Sequence, residues 1–205
     1  IFHLKKTLYS LKKNKLSKNF NLIIFSDGPK NFQDKEKIDK IRIFLKKLSG
    51  FKTVTIYKNK KNKGLSRNII SGLNLIFKKY KSAIILEDDL LINKNFLSYM
   101  NEGLKLFEKK SEVISVHAYT YPINKNKNDP EYFFLKGADC WGWATWAKSW
   151  KLFEKNGKVL IKKLINNNHV KEFNFNNSFN YLKMLENQIN GKNDSWAIRW
   201  YASAF

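Results

Sequence analysis

Hydrophobic residues along this chain alternate between two spacings, one typical of strands and one typical of helices. Short runs that are apolar or β-branched predict strands at 21–26, 53–57, 83–86 and 113–116. Between them, apolar residues recur every three or four positions, which predicts helices over 2–13 and beginning near 34, 64 and 95. Asp34 and either Asn93 or Asn95 are expected to cap two of these helices. The order predicts an α/β fold in which helices flank a mainly parallel sheet.

The second half of the chain has a weaker pattern. Residues 119–130 are polar and include two prolines, which predicts a surface loop. Residues 132–135 are a candidate strand, and the aromatic segment 141–150 is expected to lead into a helix. Further helices are predicted at 178–190 and 195–205. The chain opens directly in a helical pattern and stops without a helix-ending signal, so we expect a fragment of a single domain that lacks a first strand and a C-terminal part.

Three carboxylates follow the predicted strand at 83–86, namely Glu87, Asp88 and Asp89. Like charges this close raise one another's pKa unless a cation or hydrogen-bond donors satisfy them. A solvated acidic turn is the common alternative, but open α/β sheets bind ligands at the carboxyl ends of their strands. The position therefore favours a site for Mg²⁺ or Mn²⁺, which take oxygen ligands.

The charge of the chain is strongly positive, with a formal net charge of +22 at pH 7. Of the 39 basic residues, only Arg42, Arg67 and Arg199 are arginine. Specific recognition of phosphates and bases favours the arginine fork, and the lysines are spread along the whole chain. This argues against a dedicated nucleic-acid role, and it leaves peripheral contact with an anionic membrane open.

Cysteine usage and hydropathy bear on the compartment. Cys140 is the only cysteine, so an intrachain disulfide is excluded and a reducing compartment is favoured. No apolar run approaches the length of a membrane-spanning helix. We therefore expect a cytoplasmic location, with peripheral contact at the inner membrane face left open.

Three segments are informative when they are read together, namely Asp27 after the strand at 21–26, LSRNIISGLNLIF at 65–77 and ILEDDLLINKNFLSYM at 85–100. Together they resemble the nucleotide-sugar-binding half of a GT-A glycosyltransferase. The Glu-Asp-Asp motif is similar to that of the N-acetylglucosaminyltransferase I branch, and bacterial family-2-like sugar transferases share the layout. GADCWGWATWAKSW at 137–150 resembles the acceptor-side segment of such enzymes. The resemblance covers about residues 25 to 200 and implies a Rossmann-like GT-A fold, with a nucleotide-sugar half at 1–118 and an acceptor half at 119–205.

The resemblance also implies roles for the acidic residues. Asp89 would be the direct ligand of Mn²⁺ or Mg²⁺, while Glu87 and Asp88 would reach the ribose and organise the site. Asp27 would accept a hydrogen bond from the nucleotide base. The alternative for Asp27 is a plain turn residue in Asp-Gly-Pro.

Two positions at the start of the helix before the acidic triplet are implied to contact the nucleotide, namely Arg67 and Asn68. A helix start favours phosphate, but the family carries a His where Asn68 stands, which leaves the base unsettled. Arg67 could instead cover the helix end without a ligand.

An inverting transferase needs a general base for the acceptor hydroxyl. The resemblance places it at Asp194, although the family has a second Asp where Ser195 stands. Asp194 could also cap the last helix, and Asp139 is the rival base.

The aromatic segment offers side chains that could stack on sugar rings. Trp141 and Trp143 are the candidates, with core packing as the alternative. Core packing is favoured for Trp146 and Trp150. A structural role is favoured for His117, and Cys140 is assigned no catalysis.

The resemblance implies a metal-dependent hexosyl- or N-acetylhexosaminyltransferase. Such an enzyme would move a sugar from a nucleotide donor to a glycan or lipid-linked acceptor, with inversion, and the resemblance places it in cell-surface polysaccharide synthesis. A nucleotidyl- or phosphotransferase is an alternative, although no GxxxxGK[ST] loop is present. The second alternative is a basic module that binds nucleic acid or an anionic surface.

Overall fold

Five short strands form two separate sheets in the structure, a computed structural model that describes residues 1–122, 124, 126 and 128–205. Strands β1 (Asn21–Ser26) and β2 (Thr53–Lys58) pair in parallel. The second sheet has the order β3-β5-β4 and is antiparallel. It consists of β3 (Ser82–Ile85), β4 (Ser115–His117) and β5 (Trp143–Trp146).

The described chain combines these strands with helices, so the α/β class is confirmed in its coarse form, as a mixed α/β protein. The helices of the described chain are α1 (Phe2–Lys12), α2 (Phe32–Lys46), α3 (Leu65–Ile76), α4 (Phe96–Leu106), α5 (Ala147–Trp150), α6 (Gly157–Asn166), α7 (Val170–Phe173), α8 (Tyr181–Ile189) and α9 (Trp196–Ser203).

The prediction of one mainly parallel sheet is wrong for the described residues, because β5 changes the pairing. Residues 143–146 were expected to lead into a helix, but they form the central strand of the second sheet and run antiparallel to both neighbours. The candidate strand at 132–135 is also wrong, since these residues form no regular structure. Within the predicted loop 119–130, positions 123, 125 and 127 lie outside the described residues.

Asparagine side chains begin several helices. The Asn31 side chain accepts the N–H of Asp34 at 2.9 Å, so Asn31 caps α2 in place of the predicted Asp34. Asn95 occupies the N-cap position of α4 without a side-chain cap bond. Asn156 caps α6, a helix that the Asn-rich sequence around it did not predict.

Helix α3 ties the two sheets together. Gly72 lies against the ring of Phe25 in β1, where an added Cβ would come within 3.2 Å of the ring, and Leu73 packs with Ile85 of β3. The Asn68 side chain donates to the carbonyl of Phe25 at 3.2 Å, so α3 begins near the carboxyl end of β1. Since α3 then runs back towards the start of β3, the carboxyl ends of β1 and β3 lie on the same side of the molecule.

The core lies on both faces of the second sheet. Val116, Ala144 and Trp146 pack on one face with Met100 of α4 and Leu11 of α1. The opposite face holds a tryptophan cluster of Trp143, Trp150, Trp196 and Trp200. A third group of apolar side chains joins α6, α7, α8 and α9. Core packing of Trp146 and Trp150 is thus confirmed.

Trp143 should dominate the stability of this core. Its side chain is fully buried and contacts the rings of Trp150, Trp196 and Trp200 at centroid distances of 5.4–6.2 Å. We expect Trp143→Ala to lower the free energy of unfolding by about 3–5 kcal/mol, measured by urea denaturation. Trp141→Ala, two residues earlier and 45% exposed, is the control and should cost less than about 1 kcal/mol. Equal losses in the two variants would contradict this account of the core.

Candidate functional site

The acidic triplet leaves the second sheet at the carboxyl end of β3. Glu87 is half-buried, whereas Asp88 and Asp89 form an exposed turn. Helix α1 holds the backbone of this turn, because the Thr7 hydroxyl donates to the carbonyl of Asp88 at 2.9 Å. The backbone N–H of Ile92 approaches the Ser10 hydroxyl at 3.4 Å. Two carboxylates are therefore presented to solvent from a turn whose backbone is fixed.

The negative charge around Glu87 is not neutralised by a nearby cation of the described chain. Burial raises the pKa of Glu87, and the charges of Asp89 and Asp88 raise it further. The indole of Trp196 lowers the pKa only in part. Within the described chain, no Lys, Arg or His side chain forms an ion pair with any of the three carboxylates. A cation bound here would therefore relieve repulsion that the described residues leave in place.

Asp139 contributes a fourth carboxylate to the same region. Its Oδ1 accepts the backbone N–H groups of Cys140 and Trp141, the latter at 2.9 Å. Burial raises the pKa of Cys140 to about 12, with further contributions from the charges of Asp139 and Glu87. Cys140 therefore remains a thiol, in agreement with its assignment to no catalysis. The pairing of Ile85 with Trp143 brings the chain after β3 beside the chain before β5, so Glu87 and Asp139 belong to adjacent segments.

His117 ends β4 and pairs with Trp143 of β5. Burial lowers its pKa to about 4, partly opposed by the charge of Asp139. Its Nε2 is 2.8 Å from the Ser115 hydroxyl, and the ring is neutral near pH 7. His117 is therefore a half-buried, neutral side chain in the second sheet, and its structural role stays a prediction.

Helix α9 joins the acidic turn to the start of α3. Trp196, its first residue, lies beside Glu87. The Arg199 guanidinium donates to the Ser66 hydroxyl at 2.7 Å and to the Asp194 carboxylate at 3.2 Å. Arg199 is buried while the Asp194 side chain is 67% exposed, so the carboxylate sits at the surface with a cation behind it.

The predicted cap role of Asp194 is wrong. The Ser195 hydroxyl accepts the N–H of Ile198 at 3.2 Å and caps α9 instead. The side chain of Asp194 is thereby left for its contact with Arg199 and for solvent.

Asp27 anchors the loop between β2 and α3. Its two oxygens accept backbone N–H groups from Gly28, Lys63 and Gly64 at 2.9–3.1 Å. The side chains of Asn59 and Asn62 donate to it as well, at 3.0 and 3.1 Å. Together these donors occupy the hydrogen-bond acceptor positions of both carboxylate oxygens of Asp27. The geometry favours a structural role over the predicted contact with a nucleotide base.

Asn68 and Arg67 differ in their availability at the start of α3. The Asn68 side chain is committed internally, since it accepts from Asn59 at 2.9 Å and donates to Phe25. The Arg67 side chain is exposed beside the first backbone N–H groups of the helix. Of the two predicted nucleotide contacts, Arg67 is therefore the one positioned to meet a ligand.

The two tryptophan candidates, Trp141 and Trp143, differ completely in their exposure to solvent. Trp141 is exposed and contacts Tyr119 edge to face, with ring centroids 4.7 Å apart, and Tyr121 at 6.2 Å. Trp143 is fully buried, so the predicted stacking on a sugar is not supported by the structure. Tyr119 and Tyr121 were missed because they introduce a polar loop. Their alternation in Tyr-Thr-Tyr, directly after the predicted strand, was the available signal.

Comparison of the sequence with the models of known protein families finds no match, and neither does comparison with curated proteins. In the part of the chain that the structure describes, no three His, Cys, Asp or Glu side chains are grouped to hold a metal ion by themselves. Nor is any helix among the described residues long and apolar enough to cross a bilayer.

The site therefore consists of the acidic turn, Asp139 with the exposed aromatic side chains, and the starts of α3 and α9. The hydrogen bonds of Asn68 and Arg199 bring these elements to the carboxyl ends of β1 and β3. Of the predicted residues, Trp143 alone lies in the core. Asp27 and Asn68 make internal hydrogen bonds that hold the start of α3 against β1.

The Asp27 hydrogen bonds lead to a stability prediction. Partial burial acts to raise the pKa of Asp27, but hydrogen bonds from Lys63, Asn59, Gly28 and Gly64 outweigh it, and the pKa is lowered. We expect Asp27→Asn to lower the free energy of unfolding at pH 7 by about 1.5–3 kcal/mol, measured by urea denaturation.

This difference should depend on pH with a defined sign. Because folding lowers the pKa, the stabilisation is complete above the unfolded value near 3.8 and is lost as pH falls through the folded value. Wild type and Asp27→Asn should therefore converge in acid. Asp39→Asn, on the exposed face of α2, is the control and should change stability by less than about 0.5 kcal/mol. A loss that stays constant down to pH 3 would contradict the assignment.

Proposed function

We propose that this protein is a metal-dependent glycosyltransferase of the GT-A type. It transfers a hexosyl or N-acetylhexosaminyl group from a nucleotide sugar to a glycan or lipid-linked acceptor with inversion, in cell-surface polysaccharide synthesis. Residues 1–118 bind the donor and residues 119–205 face the acceptor. The chain acts in the cytoplasm, in contact with the inner membrane face, and the unpaired Cys140 is in keeping with a reducing compartment.

One observation carries the proposal. Four carboxylates from two separate segments, Glu87 to Asp89 and Asp139, lie where β3 ends and the chain approaches β5, without an ion-paired cation among the described residues. Structural stability does not require this arrangement, because like charges repel. A diphosphate donor with a divalent cation supplies the positive charge and the phosphate oxygens that the arrangement lacks.

The donor side is built from the start of α3. Its first backbone N–H groups and the helix dipole favour phosphate, and Arg67 stands exposed beside them. Arg199 fixes this helix start against Asp194 through Ser66. The diphosphate is thus held between a positive helix end and the acidic turn.

The donor set of the acidic turn fits Mg²⁺ or Mn²⁺, because both cations bind through one or two carboxylates together with substrate phosphates. Asp89 would hold the cation, which when bound supplies Lewis-acid stabilisation of the leaving diphosphate. Glu87 and Asp88 organise the turn and meet the ribose.

The acceptor side lies beside Trp141. Its exposed ring and those of Tyr119 and Tyr121 offer apolar faces on which a sugar can stack. A carboxylate takes the proton of the acceptor hydroxyl as its oxygen bonds to the anomeric carbon and the bond to the diphosphate breaks. Asp194, beside Arg199, is the proposed base. Asp139, which accepts the backbone N–H of Trp141, is its rival.

Asp89 is the residue whose change tests the proposal most directly. A screen of nucleotide sugars with Mn²⁺ should find one that raises the melting temperature, since a ligand at 100 times its Kd stabilises by about 2.7 kcal/mol. Donor hydrolysis or transfer, followed by release of the nucleotide, should fall by about a hundredfold or more in Asp89→Asn.

Asp39→Asn serves as the charge-matched control and should retain both signals. Loss of the signal in both variants, or stabilisation by RNA alone with a steep salt dependence, would replace the proposal with a basic binding module. Cleavage between the two phosphates would indicate a nucleotidyl- or phosphotransferase.

The two candidate bases can be separated by comparing sugar transfer with donor binding in each variant. The variant that lacks the base should lose about 10²–10⁴-fold in transfer while its melting-temperature shift with donor and Mn²⁺ remains. We expect this result for Asp194→Asn and a smaller loss for Asp139→Asn. The reverse order would assign the base to Asp139, and unchanged transfer in both variants would remove carboxylate base catalysis.

A further inference from the structure

A groove of about 610 Å³ lies between α1 and the end of α2. Its floor is apolar and includes Leu8, Phe44 and Leu48, while lysines stand along its edges. None of the described residues that line it is acidic. The groove is separate from the acidic turn and has no part in the proposed transfer of a sugar.

Helix α1 presents a regular surface along this groove. Its exposed face consists of aromatic residues and lysines at helical spacing, namely Phe2, Lys5, Lys6, Tyr9 and Lys12, followed by Lys13. Phe2 and Tyr9 are 61% and 62% exposed, although both are large rings. The opposite face, with Thr7, Leu8 and Leu11, is buried against the protein. A helix with a basic and aromatic outer face is typical of binding at a membrane surface.

The lysines are placed around the rings rather than away from them. The ammonium groups of Lys6 and Lys13 lie 4.3 Å from the ring centroids of Phe2 and Tyr9, and that of Lys5 lies 5.3 Å from the ring of Phe44. Apolar rings and cations therefore occupy the same surface. A bilayer leaflet that carries anionic headgroups offers the complementary pair, with phosphates for the lysines and the acyl boundary for the rings.

The acidic residues of α2 do not cancel this charge. Asp34, Glu36 and Asp39 lie in the first half of that helix, and Glu36 is paired with Lys40 at 2.7 Å. The end of α2 that borders the groove carries Lys47. The electrostatic potential at the groove is therefore positive.

We propose that the groove between α1 and α2 is a docking surface for an anionic phospholipid bilayer. The lysines attract the headgroups, and Phe2 and Tyr9 enter the boundary between headgroups and acyl chains. A soluble phosphate or a nucleotide would meet the lysines but leave the exposed rings in water. This inference does not depend on the proposed glycosyltransferase activity.

The test is co-sedimentation of the intact chain with large vesicles. Vesicles of phosphatidylcholine with 30% phosphatidylglycerol should bind the protein, whereas pure phosphatidylcholine vesicles should bind it far less. The triple variant Lys5→Gln, Lys12→Gln and Lys47→Gln should bind about a hundredfold more weakly at low salt, since each lysine near the surface contributes about fivefold. Phe2→Ser with Tyr9→Ser should reduce binding at least tenfold without a change in net charge.

Matched variants elsewhere remove the same charge and similar rings. Lys158→Gln, Lys162→Gln and Lys163→Gln on the exposed face of α6 should change binding less than threefold. Tyr132→Ser with Phe134→Ser, on another exposed apolar segment, should have no comparable effect. The circular dichroism spectrum of each variant should match that of the wild type, which shows that the variant is folded.

Equal losses in the α6 and groove variants would overturn the proposal, because binding would then follow overall charge. Binding that Phe2→Ser with Tyr9→Ser leaves intact would also overturn it. A dimer in light scattering that this aromatic double variant dissolves would assign the face to a second copy of the chain instead. Preference for RNA over vesicles at equal phosphate would assign it to nucleic acid.

Discussion

The carboxylate of Asp27 is the constraint on which the edge of the first sheet depends. It ends β1 and gathers backbone donors from residues 63 and 64, more than thirty positions later in the chain. These bonds hold the loop after β2 against β1 and set where α3 begins. Because α3 starts there, its free N–H groups face the same side of the molecule as the acidic turn. The position at which α3 starts thus follows from one half-buried carboxylate.

The chain has three arginines, and two of them connect separate segments through hydrogen bonds. Arg42 donates to the carbonyls of Asp27 and Asn59 and to the hydroxyl of Ser26, and so fastens the end of β1 to the end of β2. Arg199 does the same between α9 and α3. A guanidinium holds several acceptors in one plane, which the single ammonium of a lysine does not. A guanidinium therefore stands at two contacts between segments next to the candidate site, one between β1 and β2 and one between α9 and α3.

The sequence was most informative where one local signal decides the structure. The run 21–26 is a strand because apolar residues end abruptly at Asp-Gly-Pro, and the periodic helix at 65–76 forms as its apolar face requires. The position of the acidic triplet at a strand end followed in the same way. In contrast, β5 is buried on both faces and adjoins a helix with the same aromatic residues, so its four residues carry no distinctive period.

The site was predicted less completely, because the decisive contacts join distant positions. The donors to Asp27 from residues 59–64 and the link from Arg199 to Ser66 span 32 to 133 residues, and no local pattern records them. Trp141 and Trp143 look equivalent in the sequence, yet the strand begins between them and turns one ring to solvent and the other into the core. The functions of such pairs depend on tertiary structure alone.

The separation of the sheets also bears on how the molecule can deform. In the described chain no backbone ladder joins β1 to β3, and the two sheets are held together by side-chain packing on α3 and α1. A small rotation of one sheet against the other would therefore disturb van der Waals contacts and leave every ladder hydrogen bond intact. The contact between the two sheets is therefore the place where the fold can deform at the lowest energetic cost.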